Sequence, residues 1–198
     1  MRLLGLDLAR ETGFATGEAD CARPRYGSVR LGKPDSTHRD RNGAFARFLR
    51  HTFAFDKPDL IVVEDFLNPT AQPSADAAMT QLFLHGILDG IAELYRIRVE
   101  RLAPATIRKE FCGRASADGP SPRGHIRSSR ERAQARRNTK DMVLARCELW
   151  GYVPPGYRND NAADAIGVWH VGGERFCGVK RNQVVWGGKL VPVVGAAA

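Results

Sequence analysis

A carboxylate inside an apolar strand constrains this chain more than any other feature. Asp7 lies in the run Leu3-Leu4-Gly5-Leu6-Asp7-Leu8-Ala9, and Thr12-Gly13-Phe14-Ala15 follows at once. Burying a charge in such a run is costly unless something compensates it. The pattern recurs twice. Ile61-Val62-Val63 ends in Glu64-Asp65, and Asp160-Asn161-Ala162-Ala163-Asp164 opens the apolar stretch Ala165-Ile166-Gly167-Val168-Trp169. Three acidic positions of this kind read as one divalent-metal site assembled from distant parts of the chain.

The order of elements supports that convergence. Residues 2–8, 12–18 and 25–31 read as a three-strand meander. Residues 39–54 carry Phe45, Phe48, Leu49 and Phe53 at helical spacing, and Leu60–Glu64 reads as the fourth strand. A helix over 75–95 has Met79, Leu82, Phe83, Gly86, Ile87, Gly90, Ile91 and Leu94 as its apolar stripe. Gly86 and Gly90 on that stripe would let another element approach closely, either the chain's own sheet or a second copy. Residues 97–102 read as a fifth strand, and Pro104 fits the first turn of a short helix. The fold class is α/β, a mixed five-stranded central sheet flanked by helices. With the first strand central and the fourth parallel beside it, Asp7 and Glu64 meet at one point. A helix starting near Asn159 brings Asp160 and Asp164 to the same place, because i and i+4 share a face.

Four crowded carboxylates become tolerable when hard cations sit among them. An all-oxygen donor set selects Mg²⁺ or Mn²⁺ over zinc. Two such ions about 4 Å apart can activate water and stabilise the leaving oxygen of a phosphodiester. Each residue also has a simpler role open to it. Asp7 could cap the turn before Thr12, Glu64 and Asp65 could be surface carboxylates at a strand end, and Asp160 or Asn161 could cap the last helix. His85 and His170 read as structural or exposed.

The chain of 198 residues carries a formal net charge of +8, which favours a polyanionic partner. The charge is concentrated in 114–138, read as a mobile basic insertion. It includes Arg123, Arg127, Arg130, Arg132, Arg136 and Arg137, and Lys140 follows it. Gly119-Pro120-Ser121-Pro122 cannot sustain a helix, so a loop should pass into a helix ending near Trp150-Gly151, with Met142, Val143, Cys147 and Trp150 as a buried stripe. A basic protein with such an acidic site reads as a nuclease, its domain expected over 1–172, with 173–198 as an extra hairpin or a poorly ordered end. Four scattered cysteines without a CxxC pair argue against a zinc ribbon. The chain opens directly on a strand and no apolar run approaches the ~20 residues that span a bilayer. A cytoplasmic protein is expected, nucleoid-associated or in a phage-infected cell.

At these residues the chain resembles the RuvC-like Holliday-junction resolvases of the ribonuclease H-like superfamily. The resemblance runs through LLGLDLARETGFA at Asp7, IVVEDF at Glu64, APATIRKEFCGRA at 103–115, KDMVLARCELWGY at 140–152 and NDNAADAIGVWH at Asp160–Asp164. Together these stretches span about 1–170, and the wording of the last looks closer to phage-type resolvases. The resemblance implies a homodimer that makes paired nicks in branched DNA with Mg²⁺ or Mn²⁺. It makes Asp7, Glu64 and Asp164 metal ligands. The family's fourth ligand lies three residues before the last Asp, where this chain has Asn161; Asp160 is the displaced carboxylate assigned here. Arg108 and Lys140 match basic positions near the scissile phosphate, and Lys109 lies beside the first of them. The family often has an aromatic three residues after the glutamate; that position is Leu67, and Phe66 is one earlier. Two other readings remain: a non-catalytic nucleic-acid-binding module on the same fold, and a YqgF-like nuclease that processes RNA. An actin-like ATPase would need a second copy of the opening fold, for which the chain has no room.

Overall fold

The structure is a computed structural model and describes residues 1–66, 74–118, 128–181, 183–186 and 189–192. Strands β1 (Arg2–Asp7), β2 (Glu11–Glu18) and β3 (Arg25–Arg30) form an antiparallel meander. Helix α1 (His38–Phe55) leads to β4 (Leu60–Glu64), and α2 (Ala75–Leu94) leads to β5 (Arg98–Leu102). Both of these strands run parallel to β1, giving the sheet order β3-β2-β1-β4-β5. Helices α3 (Pro104–Cys112), α4 (Ser129–Leu149) and α5 (Asp160–Phe176) follow. The mixed five-stranded sheet with β1 central is the arrangement the sequence calls for.

β1 and β4 are buried on both faces, which is why they are apolar nearly throughout. Leu4, Leu6, Ile61 and Val63 point to one side and pack with Phe45, Leu49 and Phe53 of α1 and Leu84 and Leu88 of α2. Leu3, Leu60 and Val62 point to the other, against Ile107 and Phe111 of α3, Val143 and Cys147 of α4, and Ile166 and Trp169 of α5. Helix α5 presses unusually close to the sheet. A Cβ at Gly5 would stand 2.7 Å from the Trp169 amide nitrogen, and one at Gly13 only 1.9 Å from the Asn161 carbonyl oxygen. Glycine is needed at both strand positions for the helix to lie there.

Four readings need correction. The basic segment is not loop as far as 138: α4 begins at Ser129, where Ser128 and Glu131 form a reciprocal capping box. The apolar stripe assigned to α2 is not its buried face. Thr80, Leu84, His85, Leu88 and Ala92 are buried, whereas Met79, Leu82 and Leu94 are exposed. Much of this helix is apolar all round, so periodicity alone does not select a side. Thirdly, a domain boundary at 172 falls inside α5, which continues to Phe176. Beyond it, β6 (Gln183–Trp186) and β7 (Lys189–Pro192) pair antiparallel. Finally, neither Asp160 nor Asn161 caps α5; Asn159 does. The two histidines are structural: His85 and His170 are buried, the latter with its Nδ1 2.8 Å from the Tyr152 hydroxyl. Among the described residues no helix is long and apolar enough to cross a membrane.

Candidate metal centre

Asp7 is the last residue of β1 and Glu64 the last of β4. The strands are parallel neighbours in a register that pairs Leu6 with Val63, so the next residues emerge side by side at their carboxyl ends. Gly13 of β2 lies opposite Asp7 across the antiparallel pair, and the first turn of α5 rests on that glycine. A polar tether fixes the same turn. The Asn159 side-chain oxygen accepts from the Ala162 amide at 3.0 Å, and its Nδ2 donates to Ser28 Oγ at 2.8 Å. Ser28 Oγ donates in turn to Glu11 at 2.8 Å. Asp160 and Asp164 are thus carried to the strand ends by contacts with β2 and β3.

The acids lie within one another's electrostatic fields. Burial, then the charge of Glu64, pushes the Asp7 carboxyl up to about 8, while Lys140 and Arg108 pull against that rise. Burial and then Asp164 raise Glu64 to about 7. Burial and then Asp7 raise Asp164 to about 8, again opposed by Lys140 and Arg108. Asp160 is less enclosed, with its side chain 33% exposed, and it accepts a hydrogen bond from the Lys140 ammonium. Burial works against the charge on Lys140, yet the bond to Asp160 and the fields of Asp160, Asp164 and Asp7 raise its pKa.

Among the described residues no three carboxylate, imidazole or thiol groups stand close enough to enclose a cation as they are arranged. Three desolvated acids that repel one another, with a fourth turned to an ammonium, are short of positive charge rather than matched to one. The donor set is all oxygen, and that chemistry fits a hard divalent cation. Asp7, Glu64 and Asp164 are the groups that could hold one, with Asp160 beside them.

Of the residues singled out in the sequence, Asp7, Glu64, Asp160, Asp164, Lys140 and Arg108 come together. Arg108 is supplied by α3, where Ile107 and Phe111 are buried, and its Nε donates to the Ala115 carbonyl at 3.0 Å. Lys109 is exposed on the same helix. Arg130, Arg132, Arg136 and Arg137 are exposed on α4. Phe66 is 44% exposed and meets the His85 ring edge-on, with centroids 5.5 Å apart. Asp65 turns back on its own chain, accepting from the Phe66 amide at 3.0 Å. Leu67, Arg123 and Arg127 lie outside the described residues. Sequence reasoning missed Asn159, Ser28 and Gly13. An Asn before an apolar helical run is a capping signal, and a glycine inside a strand signals close backbone approach; the hydroxyl of Ser28 carries no such mark.

No family model and no curated protein matches the sequence. Solved structures do. RuvC of Thermus thermophilus matches with a TM-score of 0.61 at 17% identity, over 90% of this chain and 97% of that one. The T. thermophilus RuvC structure in complex with a Holliday junction substrate gives 0.58 at 15% identity, over 86% and 91%. The yeast mitochondrial Holliday junction resolvase Ydc2 gives 0.52 at 11% identity, over 88% and 80%. The mixed sheet of order β3-β2-β1-β4-β5 with its flanking helices is the ribonuclease H-like fold, built as it is in RuvC.

Proposed function

We propose that this chain is a metal-dependent endonuclease that nicks Holliday junctions or similarly branched DNA by phosphodiester hydrolysis. One observation carries the reading: the ends of β1 and β4 and the first two turns of α5 bring Asp7, Glu64 and Asp164 into one desolvated cluster edged by Lys140 and Arg108. Mg²⁺ or Mn²⁺ held by these carboxylates, with Asp160, would supply an activated water and charge neutralisation at the leaving oxygen. The chain's own groups do the rest. Asp7 and Glu64 are held by strands and Asp164 by a capped helix, so the ligand set rests on rigid elements. Lys140 hydrogen-bonds Asp160 at the rim of the cluster, where its ammonium can turn to the phosphate and stabilise developing charge. Arg108 lends a second positive charge from α3.

Paired nicks call for two active sites, and α2 offers the contact for a homodimer. Its outer face presents Met79, Leu82 and Leu94, all exposed, and a Cβ at Gly86 or Gly90 would meet nothing within 4 Å among the described residues. Two glycines one turn apart let the same helix of a second copy cross closely.

The test is cleavage of a labelled four-way junction against linear duplex, with Mg²⁺, with Mn²⁺ and with chelator. Metal-dependent nicking of the junction is expected, with Asp7→Asn abolishing cutting while binding persists. No cutting of any branched substrate in either metal would refute the reading. Asn161, standing where a carboxylate is expected, is the feature that favours a non-catalytic binding module; such a protein would bind the junction and leave it intact in both metals. Parallel RNA junctions separate the RNA-processing alternative.

A further inference from the structure

Helix α4 does not stop at the acidic cluster. Lys140 meets Asp160 at the start of α5, and seven residues on, Cys147 Sγ lies 3.7 Å from the Ala163 carbonyl oxygen. The helix from Ser129 to Thr139 therefore precedes the contact with α5, a stretch of about 16 Å at 1.5 Å per residue. Most of it is exposed; Ala135 is buried, and Asn138 and Thr139 are half-buried.

Two hydrogen-bonded pairs identify one flank of this overhang. Gln134 Nε2 donates to Asn138 Oδ1 and Asn138 Nδ2 to Asp118 Oδ1, both at 2.8 Å, so that flank faces the segment after α3. The inner face is marked by Val143 and Cys147, which are buried against α5 and the sheet. Counting back along the helix, Arg136 and Arg132 stand seven and eleven residues before Val143. Both separations are close to whole numbers of turns, so they continue the inner face beyond the point where α5 covers it. They are also four and eight residues before Lys140, in steps of about 6 Å. Arg137 and Arg130, six and thirteen residues before Val143, are turned about 120 to 140° away from it, and Arg137, three residues before Lys140, flanks that lysine on the side away from the sheet. None of Arg130, Arg132, Arg136 and Arg137 has an ion pair with a described residue, whereas Arg2, Arg25, Arg101 and Arg175 are each paired with carboxylates; it is helix position that separates the first four.

We propose that Arg136 and Arg132 extend Lys140 into a rail that grips successive phosphates of the strand being cut, on one side of the scissile phosphate. The inference rests on the nuclease reading and adds to it which strand segment is held and by which side of α4. A phosphodiester strand is repelled by the acidic cluster, and two guanidiniums on the inner face supply attraction where the strand enters. The 6 Å steps are comparable to the separation of neighbouring phosphates along one strand. Arg130 and Arg137 are turned off that path and neutralise no phosphate of the strand.

The test compares salt dependence of binding for full-length Asp7→Asn protein, which is not expected to cut, on two labelled probes: a four-way junction and a single-stranded oligodeoxynucleotide. Adding Arg132→Gln with Arg136→Gln should reduce the slope of log K against log salt by about 1 to 2 on both probes, since each phosphate contact contributes roughly 0.7 to 0.9. Arg130→Gln with Arg137→Gln should leave the slope unchanged, and Arg132→Lys with Arg136→Lys should restore it. Equal slope losses from the inner and outer pairs would overturn the rail, even if the wild-type protein cuts junctions. A slope loss confined to the inner pair supports it, even if junction cutting by the wild type fails.

Discussion

Replacing Asp7 by Asn should make the cation-free protein more stable, increasingly so as pH rises. Burial, then the charge of Glu64, raises the Asp7 carboxyl from 3.8 to about 8. Between those values the native state keeps a proton that the unfolded chain has released. A state that binds more protons loses ground as pH rises, so stability falls through this window. At about 1.4 kcal/mol per pH unit, the span sets a ceiling of about 6 kcal/mol for Asp7 above pH 8. Relaxation and water penetration around buried charges take up much of that. The substitution also removes a favourable attraction to Lys140 while relieving Asp164, which Asp7 itself raises. An increase on the order of 3 kcal/mol at pH 8 is expected, shrinking toward zero below about pH 3, where both states are protonated. With a urea m-value of about 2 kcal/mol/M, this is a shift of roughly 1.5 M in midpoint. Urea unfolding in the presence of chelator, at intervals from pH 5 to 8.5, measures it. Wild-type stability should decline across the series and the variant should decline less. A variant that is less stable than wild type at pH 8, or a wild type that gains stability from pH 5 to 8, would refute the reasoning.

Other outcomes follow from the same geometry. Gly13→Ala places a methyl 1.9 Å from the Asn161 carbonyl oxygen, so the first turn of α5 must move. A loss of about 1 to 3 kcal/mol in urea unfolding is expected, together with weaker Mn²⁺ binding by calorimetry; unchanged binding would mean that α5 is not set by this contact. Leu82→Asp on the exposed face of α2 should leave monomer stability within about 0.5 kcal/mol and shift sedimentation toward the monomer. A dimer that survives it would place the interface elsewhere.

The strands that hold the site were legible because their demands are severe. β1 and β4 must be apolar to be buried on both faces, so Asp7 and Glu64 stand out at their ends. The start of α5 was legible for the same reason. Its cap was not, because Asp160 and Asn161 have the chemistry of cap residues as well as Asn159, and only the Ala162 amide chooses between them. The beginning of α4 was written in Ser128 and Glu131, but the prolines and unbroken basic charge beside them weigh toward loop. The face of α2 could not be read at all: Leu82 and Leu84 are the same residue type, one exposed and one buried, and the difference is made by where α1 and the sheet lie.

Anomalous diffraction from crystals soaked in Mn²⁺ would locate the cation itself. Density is expected among the carboxylates of Asp7, Glu64 and Asp164, with Lys140 released from Asp160, and it should weaken in Glu64→Gln crystals. Manganese bound elsewhere, or a cluster that stays empty at millimolar Mn²⁺ above pH 8, would contradict the proposal that these acids form a metal centre.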